Sequence, residues 1–265
     1  MFTNVNNVIM KQIENFIVVE NKRLSENISV LTLQLETELF NIKAGQFVEV
    51  RIDKTPGVML RRPISVHDVN YGKNQLKLLV QNVGKGSDYL CNLTSGTVLN
   101  LIYPLGNSFV MPEQGNIPLL IGGGCGMAPL LYWGRQLLEN NITPLFLIGA
   151  RNADSLIQIE EFQKLGQVLI TTEDGSKGHK GFVVNHPVMC SETPKFDIIY
   201  TCGPEGMMKA VAKFAAKHGI TCFVSLENRM ACGIGACLCC VVSTIDGHKC
   251  TCVEGPVFNS KYIQW

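Results

Sequence analysis

Hydrophobic and polar positions nearly alternate along the N-terminal part of the chain. Phe16-Ile17-Val18-Val19-Glu20, Ile28-Ser29-Val30-Leu31-Thr32-Leu33-Gln34-Leu35 and Gln46-Phe47-Val48-Glu49-Val50-Arg51 are β-branched runs interrupted by Asn, Lys and Gly. Leu76-Lys77-Leu78-Leu79-Val80 and Val98-Leu99-Asn100-Leu101-Ile102 continue the series. Runs of this kind bounded by turn formers predict strands, and short strands at this density predict a closed antiparallel barrel. From Ile117 the period changes. Pro118-Leu119-Leu120-Ile121 is wholly apolar, a glycine cluster follows, and Leu130 to Glu139 has helical patterning with Pro129 tolerated in its first turn. Apolar strands at Pro144–Gly149, Gln167–Thr171 and Asp197–Cys202, and a helix from Met207 to Lys217, extend the alternation. That pattern predicts a doubly wound α/β domain whose parallel sheet binds nucleotide at the strand C-termini.

Beyond Thr221 the signal is chemical rather than periodic. Cys232, Cys237 and Cys240 stand in the spacing C-x4-C-x2-C, and Cys250 and Cys252 follow a short insert. Three thiolates on one loop and a fourth downstream are the plant-type arrangement for a 2Fe–2S cluster. Gly233 and Gly235 suit a backbone that must approach sulfide closely. Zinc would prefer two C-x2-C pairs or a Cys/His mixture, and His248 is the one histidine nearby. Disulfides would need an oxidising compartment, and plain buried thiols remain the bland alternative.

The 265 residues suggest two domains and an appendage, with expected boundaries at 1–112, 113–220 and 221–265. Hydrophobic residues at 46% allow real cores, and charged residues at 17% argue against disorder. A net charge of +1 gives no reason to expect nucleic acid as a partner. The N-terminal MFTNVNNVIMKQIENF lacks a basic region followed by an apolar core, so no secretory signal is expected. No apolar run approaches the roughly 20 residues that cross a bilayer, so no membrane partner is expected. The eleven cysteines then read as cytoplasmic thiols plus a metal centre.

Two strings in the barrel region carry candidate anion chemistry. Arg61-Arg62-Pro63-Ile64-Ser65 sits at a strand, and Gly84-Lys85-Gly86-Ser87 opens a short helix at Asp88-Tyr89-Leu90. Glycines before a helix N-terminus make a phosphate seat; an ordinary turn capped by Ser87 or Asp88 is the alternative. In the second region Gly122-Gly123-Gly124-Cys125-Gly126 departs from the strict dinucleotide fingerprint. Cys202-Gly203-Pro204-Glu205-Gly206 ends a later strand at the same sheet edge, and two such loops suggest a cleft. Nucleotide loops beside a cluster imply a flavin between them, because nicotinamide exchanges electrons in pairs and the cluster singly.

Taken together these strings resemble the ferredoxin–NADP reductase superfamily over essentially the whole chain. More narrowly, Arg62-Pro63-Ile64-Ser65, Asp174-Gly175-Ser176, Cys202-Gly203-Pro204 and Glu227-Asn228-Arg229-Met230-Ala231-Cys232-Gly233-Ile234-Gly235-Ala236-Cys237 look like the electron-transfer subunits of type B dihydroorotate dehydrogenase. The resemblance implies FAD held by Arg62, Pro63, Ile64, Ser65, Gly84, Gly86 and Ser87. It implies NAD held by Gly123, Gly124, Gly126, Asp174, Cys202 and Gly203. The cluster ligands would be Cys232, Cys237, Cys240 and Cys252, the last standing three before Gly255 as in the family, with Cys239 and Cys250 spare. One departure is Val80-Gln81 where the family usually has Tyr-Arg. No catalytic acid or base is expected, and His67, His179, His186, His218 and His248 read as surface or structural. Glu173 and Asp174 favour NADH, while Arg151 and Lys177 could instead hold a 2′-phosphate.

The implied function is passage of electrons from a dihydroorotate-oxidising, FMN-containing catalytic subunit through cluster and FAD to NAD in pyrimidine biosynthesis. The implied assembly is a heterotetramer with two of each subunit. A stand-alone NAD(P)H-dependent flavin/iron–sulfur reductase, or one serving a different redox partner, is the alternative. The C-terminal Phe258–Trp265 is expected to lie beyond both domains as a contact surface.

Overall fold

Six antiparallel strands form the N-terminal barrel: β1 (Gln12–Ser25), β2 (Ile28–Gln34), β3 (Phe47–Val50), β4 (Arg62–Asn70), β5 (Gln75–Gln81) and β6 (Val98–Leu105). They close in the order β1-β2-β5-β4-β3-β6, with helix α1 (Lys85–Cys91) between β5 and β6. This computed structural model describes residues 11–53 and 55–265, so most of the stretch read for a secretory signal lies outside the described residues. Phe16, Val18, Leu31, Leu33, Leu76 and Leu78 are all sealed from water in the barrel core, which is what the apolar positions of the runs require. Strand β4 changes character midway. Val66–Val69 are buried, whereas Arg62–Ser65 are only half-buried and leave an open face.

The second sheet takes β7 (Pro118–Gly123), β8 (Leu145–Ala150), β9 (Gln167–Thr172), β10 (His179–Lys180), β11 (Ile198–Cys202) and β12 (Thr221–Ser225) as parallel strands in the order β10-β9-β8-β7-β11-β12. Its helices are α2 (Ala128–Glu139), α3 (Ile159–Gln163), α4 (Pro187–Cys190) and α5 (Glu205–His218). Every residue of β7 and β11 is buried, because helices cover both faces of the sheet. Leu120 and Tyr200 share a core with Leu130, Leu131 and Trp133 of α2. Their strand neighbours Leu119, Ile121 and Ile199 pack instead with Met208, Val211 and Ala215 of α5.

The C-terminal segment departs from the sequence reading. A hairpin of β13 (Val241–Thr244) and β14 (Gly247–Cys250) forms a small sheet of its own, bridged to the C-terminus at Thr244 and Ile263, but β15 (Val257–Asn259) runs antiparallel beside β12 and becomes the seventh strand of the nucleotide sheet. Thus Phe258 and Asn259 do not lie beyond both domains: Phe258 pairs with Val224 and Asn259 with Phe223. A three-residue strand carries too little pattern to be read from sequence, and the pairing is set by the free edge of β12.

Barrel and α/β domain meet along β4 and α2. The Nδ1–H of buried His67 donates to the Ala128 carbonyl at 3.0 Å, since a carbonyl can only accept. Asp68 pairs with Arg135 at 2.9 Å, and the Tyr132 hydroxyl donates to the Ile42 carbonyl at 2.8 Å. Ala44 N–H donates to Gln136 Oε1 at 3.1 Å. This seam holds the open half of β4 beside the glycine loop that precedes α2.

Candidate cofactor sites and cluster loop

The half-open stretch of β4 faces the start of α1. A Cβ built on Gly86 would lie 2.6 Å from Nε of Arg62, so the guanidinium rests directly on the glycine backbone. Ser87 Oγ accepts from the Val83 and Gly84 N–H groups at 2.9 and 3.1 Å, which closes the turn. Ser87 is therefore the capping side chain, and its value to an anion lies in the backbone. A permanently charged fork beside the N–H groups opening a helix is a seat fitted to a pyrophosphate. Ile64 and Ser65 lie on β4 opposite Val48 and Phe47 of β3, and Pro63 lies opposite Glu49. Val80 is buried and Gln81 exposed, so neither offers the aromatic surface and charge that Tyr-Arg would bring.

At the C-terminal edge of the sheet two loops interlock. A Cβ on Gly126 would stand 2.4 Å from the carbonyl carbon and oxygen of Cys202 and 2.4 Å from Gly203 Cα. One on Gly123 would meet Met207 Sδ at 2.8 Å and Pro204 Cδ at 3.2 Å. Gly124 has φ +55 with open space around its missing side chain, and Gly203 has φ +149. The glycine types thus follow from loop-against-loop contact and left-handed backbone. Burial pushes the fully enclosed Cys202 thiol well above its ordinary range, so it is a packed neutral group and not a nucleophile. Glu227, just beyond β12, is likewise raised by burial.

Asp174 lies past the end of β9 in an exposed turn. Its Oδ1 accepts from Ser176 N–H at 2.9 Å and from Ser176 Oγ–H at 2.6 Å, which holds the carboxyl below its usual range. Ser176 Oγ accepts in turn from Ala153 N–H at 2.8 Å, tying the turn to the segment after β8. Asp174 therefore shares a sheet edge with the glycine loops, on strands further out.

The cluster loop is shaped by three left-handed residues: Gly233 at φ +67, Gly235 at φ +82 and Leu238 at φ +56. Both glycines are also crowded, Gly233 by Glu49 Cγ at 2.7 Å and Gly235 by Val253 Cγ2 at 2.6 Å from where a Cβ would stand. The loop turns backbone N–H groups onto sulfur. Burial opposes it, yet the N–H groups of Ile234, Cys237 and Ala236 carry the Cys232 thiol down to about 6. Gly235 N–H donates to Cys252 Sγ at 3.2 Å.

Four thiols fall into two neighbouring pairs, Cys232 with Cys237 and Cys240 with Cys252. Thr251 fixes the second pair, its N–H and hydroxyl both donating to the Cys240 carbonyl at 3.1 and 2.8 Å. Burial and the adjacent Cys240 push Cys252 up to about 12, so this enclosed pair lacks a charge to stabilise its thiolates. A bound iron centre would supply that charge and keep its ligands deprotonated. Among the described residues no three or more His, Cys, Asp or Glu side chains converge on a single metal-ion position. A two-iron cluster needs pairs of thiolates rather than one such cage, and the pairs fit it. Cys239 is exposed and Cys250 half-buried, its N–H donating to Glu254 Oε2 at 2.7 Å.

Cluster loop and barrel share a wall. Buried Cys240 and Cys252 form one apolar cluster with Phe47 of β3 and Leu105 of β6. Asn107 Nδ2 donates to the Val253 and Glu254 carbonyls at 3.0 and 2.9 Å. Next to Phe47's wall lies Glu49, fully buried, with no partner for either carboxyl oxygen. Burial lifts it to about 7 against the pull of Arg61 and Arg62. Sequence reasoning passed over Glu49, for which a lone charge inside the apolar run Phe47-Val48-Glu49-Val50 was the available signal, and read His67 as surface or structural; buried in the seam, it is structural.

Comparison with known proteins finds three matching family models. A family model described as an oxidoreductase FAD-binding domain matches residues 15–109, and an oxidoreductase NAD-binding domain matches residues 120–213. The iron–sulfur cluster binding domain of dihydroorotate dehydrogenase B matches residues 227–264. The electron transfer subunit of dihydroorotate dehydrogenase B (NAD(+)) from Lysinibacillus sphaericus (strain C3-41) is 37% identical over 252 residues, 92% of this chain and 96% of that one. Its namesake from Bacillus mycoides (strain KBAB4) is 35% identical over 94% of this chain and 97% of its own length. Among solved structures, an NADH-dependent reduced ferredoxin-NADP oxidoreductase superposes with a TM-score of 0.85 at 31% identity, covering 94% of this chain and 90% of that one. FAD-, NAD- and cluster-binding domains are all present, and the likeness runs nearly end to end. The chain belongs to the family of electron transfer subunits of dihydroorotate dehydrogenase B.

Proposed function

We propose that this chain carries electrons from a catalytic, dihydroorotate-oxidising partner subunit through a 2Fe–2S cluster and FAD to NAD, within pyrimidine biosynthesis. One observation carries the reading: Cys240 and Cys252 pack against Phe47, whose strand partner is Ser65, so thiols and flavin strand share one wall. Bound FAD would supply the exchange between hydride transfer at nicotinamide and single-electron traffic at the cluster. Arg62 neutralises the pyrophosphate, with Gly84, Gly86 and Ser87 presenting backbone to it, while Pro63, Ile64 and Ser65 line the flavin along open β4. Gly123, Gly124 and Gly126 admit the dinucleotide, Cys202 and Gly203 border the nicotinamide, and Asp174 receives the adenosine ribose. Cys232, Cys237, Cys240 and Cys252 hold the cluster. The labour divides over 1–112, 113–220 and 221–265, with β12 and β15 of the last part serving the nucleotide sheet.

The partner would contain FMN and assemble with this chain two by two, in the cytoplasm. Among the described residues no helix is long and apolar enough to cross a membrane. The isolated chain is expected not to oxidise dihydroorotate, because abstraction of its hydrogen needs a base over the substrate and a further acceptor. The test is an assay of the isolated chain with dihydroorotate and NAD, repeated after adding the catalytic subunit. Turnover is expected only with both present, while NADH alone bleaches the flavin and cluster bands. Full turnover by the isolated chain overturns the reading, as does a bound partner that leaves the cluster oxidised when dihydroorotate is supplied. A second reading, service to a different redox partner, draws on the likeness to NADH-dependent reduced ferredoxin-NADP oxidoreductase; identification of the proteins that copurify decides between them.

A further inference from the structure

Glu49 occupies an unusual place for a carboxylate. Its side chain is wholly shielded from water and neither oxygen has a hydrogen-bond partner. It lies on β3 opposite Pro63 of the flavin strand and Ile102 of β6. On its other side the cluster loop closes over it: a Cβ on Gly233 would stand 2.7 Å from Glu49 Cγ and 3.2 Å from Oε1. Burying an acid without a partner costs several kcal/mol, so the position does not stabilise the fold. Arg61, the cation nearest in sequence to the flavin string, is engaged elsewhere. Its Nη1 donates to the backbone carbonyls of Glu49 and Asn100 at 3.2 and 3.0 Å, and Nη2 donates to Asn100 Oδ1. The charged groups that act on the carboxyl are Arg61, Arg62 and Cys232: two cations on the flavin side and one cluster thiol.

We propose that Glu49 is a positioning residue for electron exchange between cluster and flavin, a fixed charge on their shared wall that lowers the cluster's midpoint potential. The proposal rests on the cofactor placement given above and specifies one residue within it. Glu49 itself exchanges no electron. In its ionised form its negative charge, held beside the loop at Gly233, disfavours an added electron on the cluster and so biases that electron toward the flavin beside Arg62. The apolar surroundings preserve the field that water would screen. Gly233 has a matching role, since any side chain there would push the carboxyl away.

The test uses the full chain loaded with cluster and FAD, as parent, Glu49→Gln and Glu49→Asp. Iron, sulfide and FAD contents are measured first, then the cluster midpoint by spectroelectrochemical titration monitored by electron paramagnetic resonance at pH 8.5. That pH lies above the range to which burial lifts this carboxyl. Glu49→Gln is expected to keep iron and FAD yet shift the midpoint to a more positive value. At a poise where the parent cluster is half reduced, its reduced-to-oxidised ratio should rise on the order of tenfold. Glu49→Asp, which keeps the charge, should remain much nearer the parent. An unchanged midpoint in a fully loaded Glu49→Gln overturns the proposal. Loss of the cluster from Glu49→Gln also overturns it, because Glu49 would then be merely structural. The measurement needs neither dihydroorotate nor a partner, so failure to couple to a catalytic subunit would leave this result standing.

Discussion

Replacing Gly126 by alanine adds one methyl group where the two nucleotide loops touch. That methyl would stand 2.4 Å from two backbone atoms of Cys202 and from Gly203 Cα, and backbone cannot swing aside as a side chain can. Ordinary carbon contacts are about 3.5–4.0 Å, so the loops must part by roughly 1 Å. Overpacking of this kind costs about 1–3 kcal/mol of stability. Its effect on the reaction is larger, because Gly126 and Cys202–Gly203 would together set where the nicotinamide rests. A displacement of about 1 Å costs on the order of a hundredfold in rate, equivalent to roughly 2.7 kcal/mol of barrier. The assay is NADH oxidation by the isolated chain with ferricyanide as acceptor, alongside FAD and iron contents. The expected result is a kcat/KM for NADH about a hundredfold below the parent's, with both cofactors retained. Gly72→Ala is the control. It lies in the exposed turn after β4, where an added Cβ meets only Asn70 Oδ1 at an ordinary 3.5 Å, so it should leave kcat/KM unchanged. Gly126→Ala with parental kcat/KM would refute the claim that this contact shapes the nucleotide site.

Gly86→Ala should release FAD and leave iron in place, because its Cβ would strike Arg62 Nε at 2.6 Å; flavin fluorescence after gel filtration checks this. Cys252→Ser should lose iron and sulfide while Cys250→Ser keeps them, since Cys252 is the buried thiol beside Cys240; the opposite result in elemental analysis reassigns the ligand. His67 is held neutral by burial, despite the Ala128 carbonyl that receives its proton, so its pKa in the folded chain lies below the unfolded value. Its contribution to stability is therefore complete above about pH 6.5 and is lost as pH falls, by at most ~1.4 kcal/mol per pH unit. Denaturant unfolding from pH 8 to 5 should show this slope in the parent and a shallower one in His67→Asn; parallel profiles would contradict it.

The barrel strands were legible because their apolar positions recur at the pleat period, and β7 and β11 because burial on both faces leaves no exposed position and almost no polar one. The cysteine loop was legible for a different reason: ligand chemistry fixes spacing. Elsewhere the deciding contacts are remote in sequence. Gly126 must be glycine because of Cys202 and Gly203, and Gly233 because of Glu49, relations that no local pattern encodes. His67 looked ordinary until α2 was laid across it. Ser87 was an ambiguous cap or anion contact, and its bonds to Val83 and Gly84 give its side chain the cap while leaving its backbone for the anion.

The pairing of β12 with β15 changes what kind of object the iron–sulfur part is. Ser225 faces Val257 across that pair, so everything between them leaves the sheet and returns to the neighbouring strand. Topologically it is an overgrown hairpin loop and not a bead threaded after the last domain. A truncation after Ser225 would therefore remove more than a redox centre, for it would strip the flank of β12 and bare its unpaired amides and carbonyls to other chains. Cluster and sheet edge are coupled assets: chemistry that dismantles one loosens the splice that holds the other.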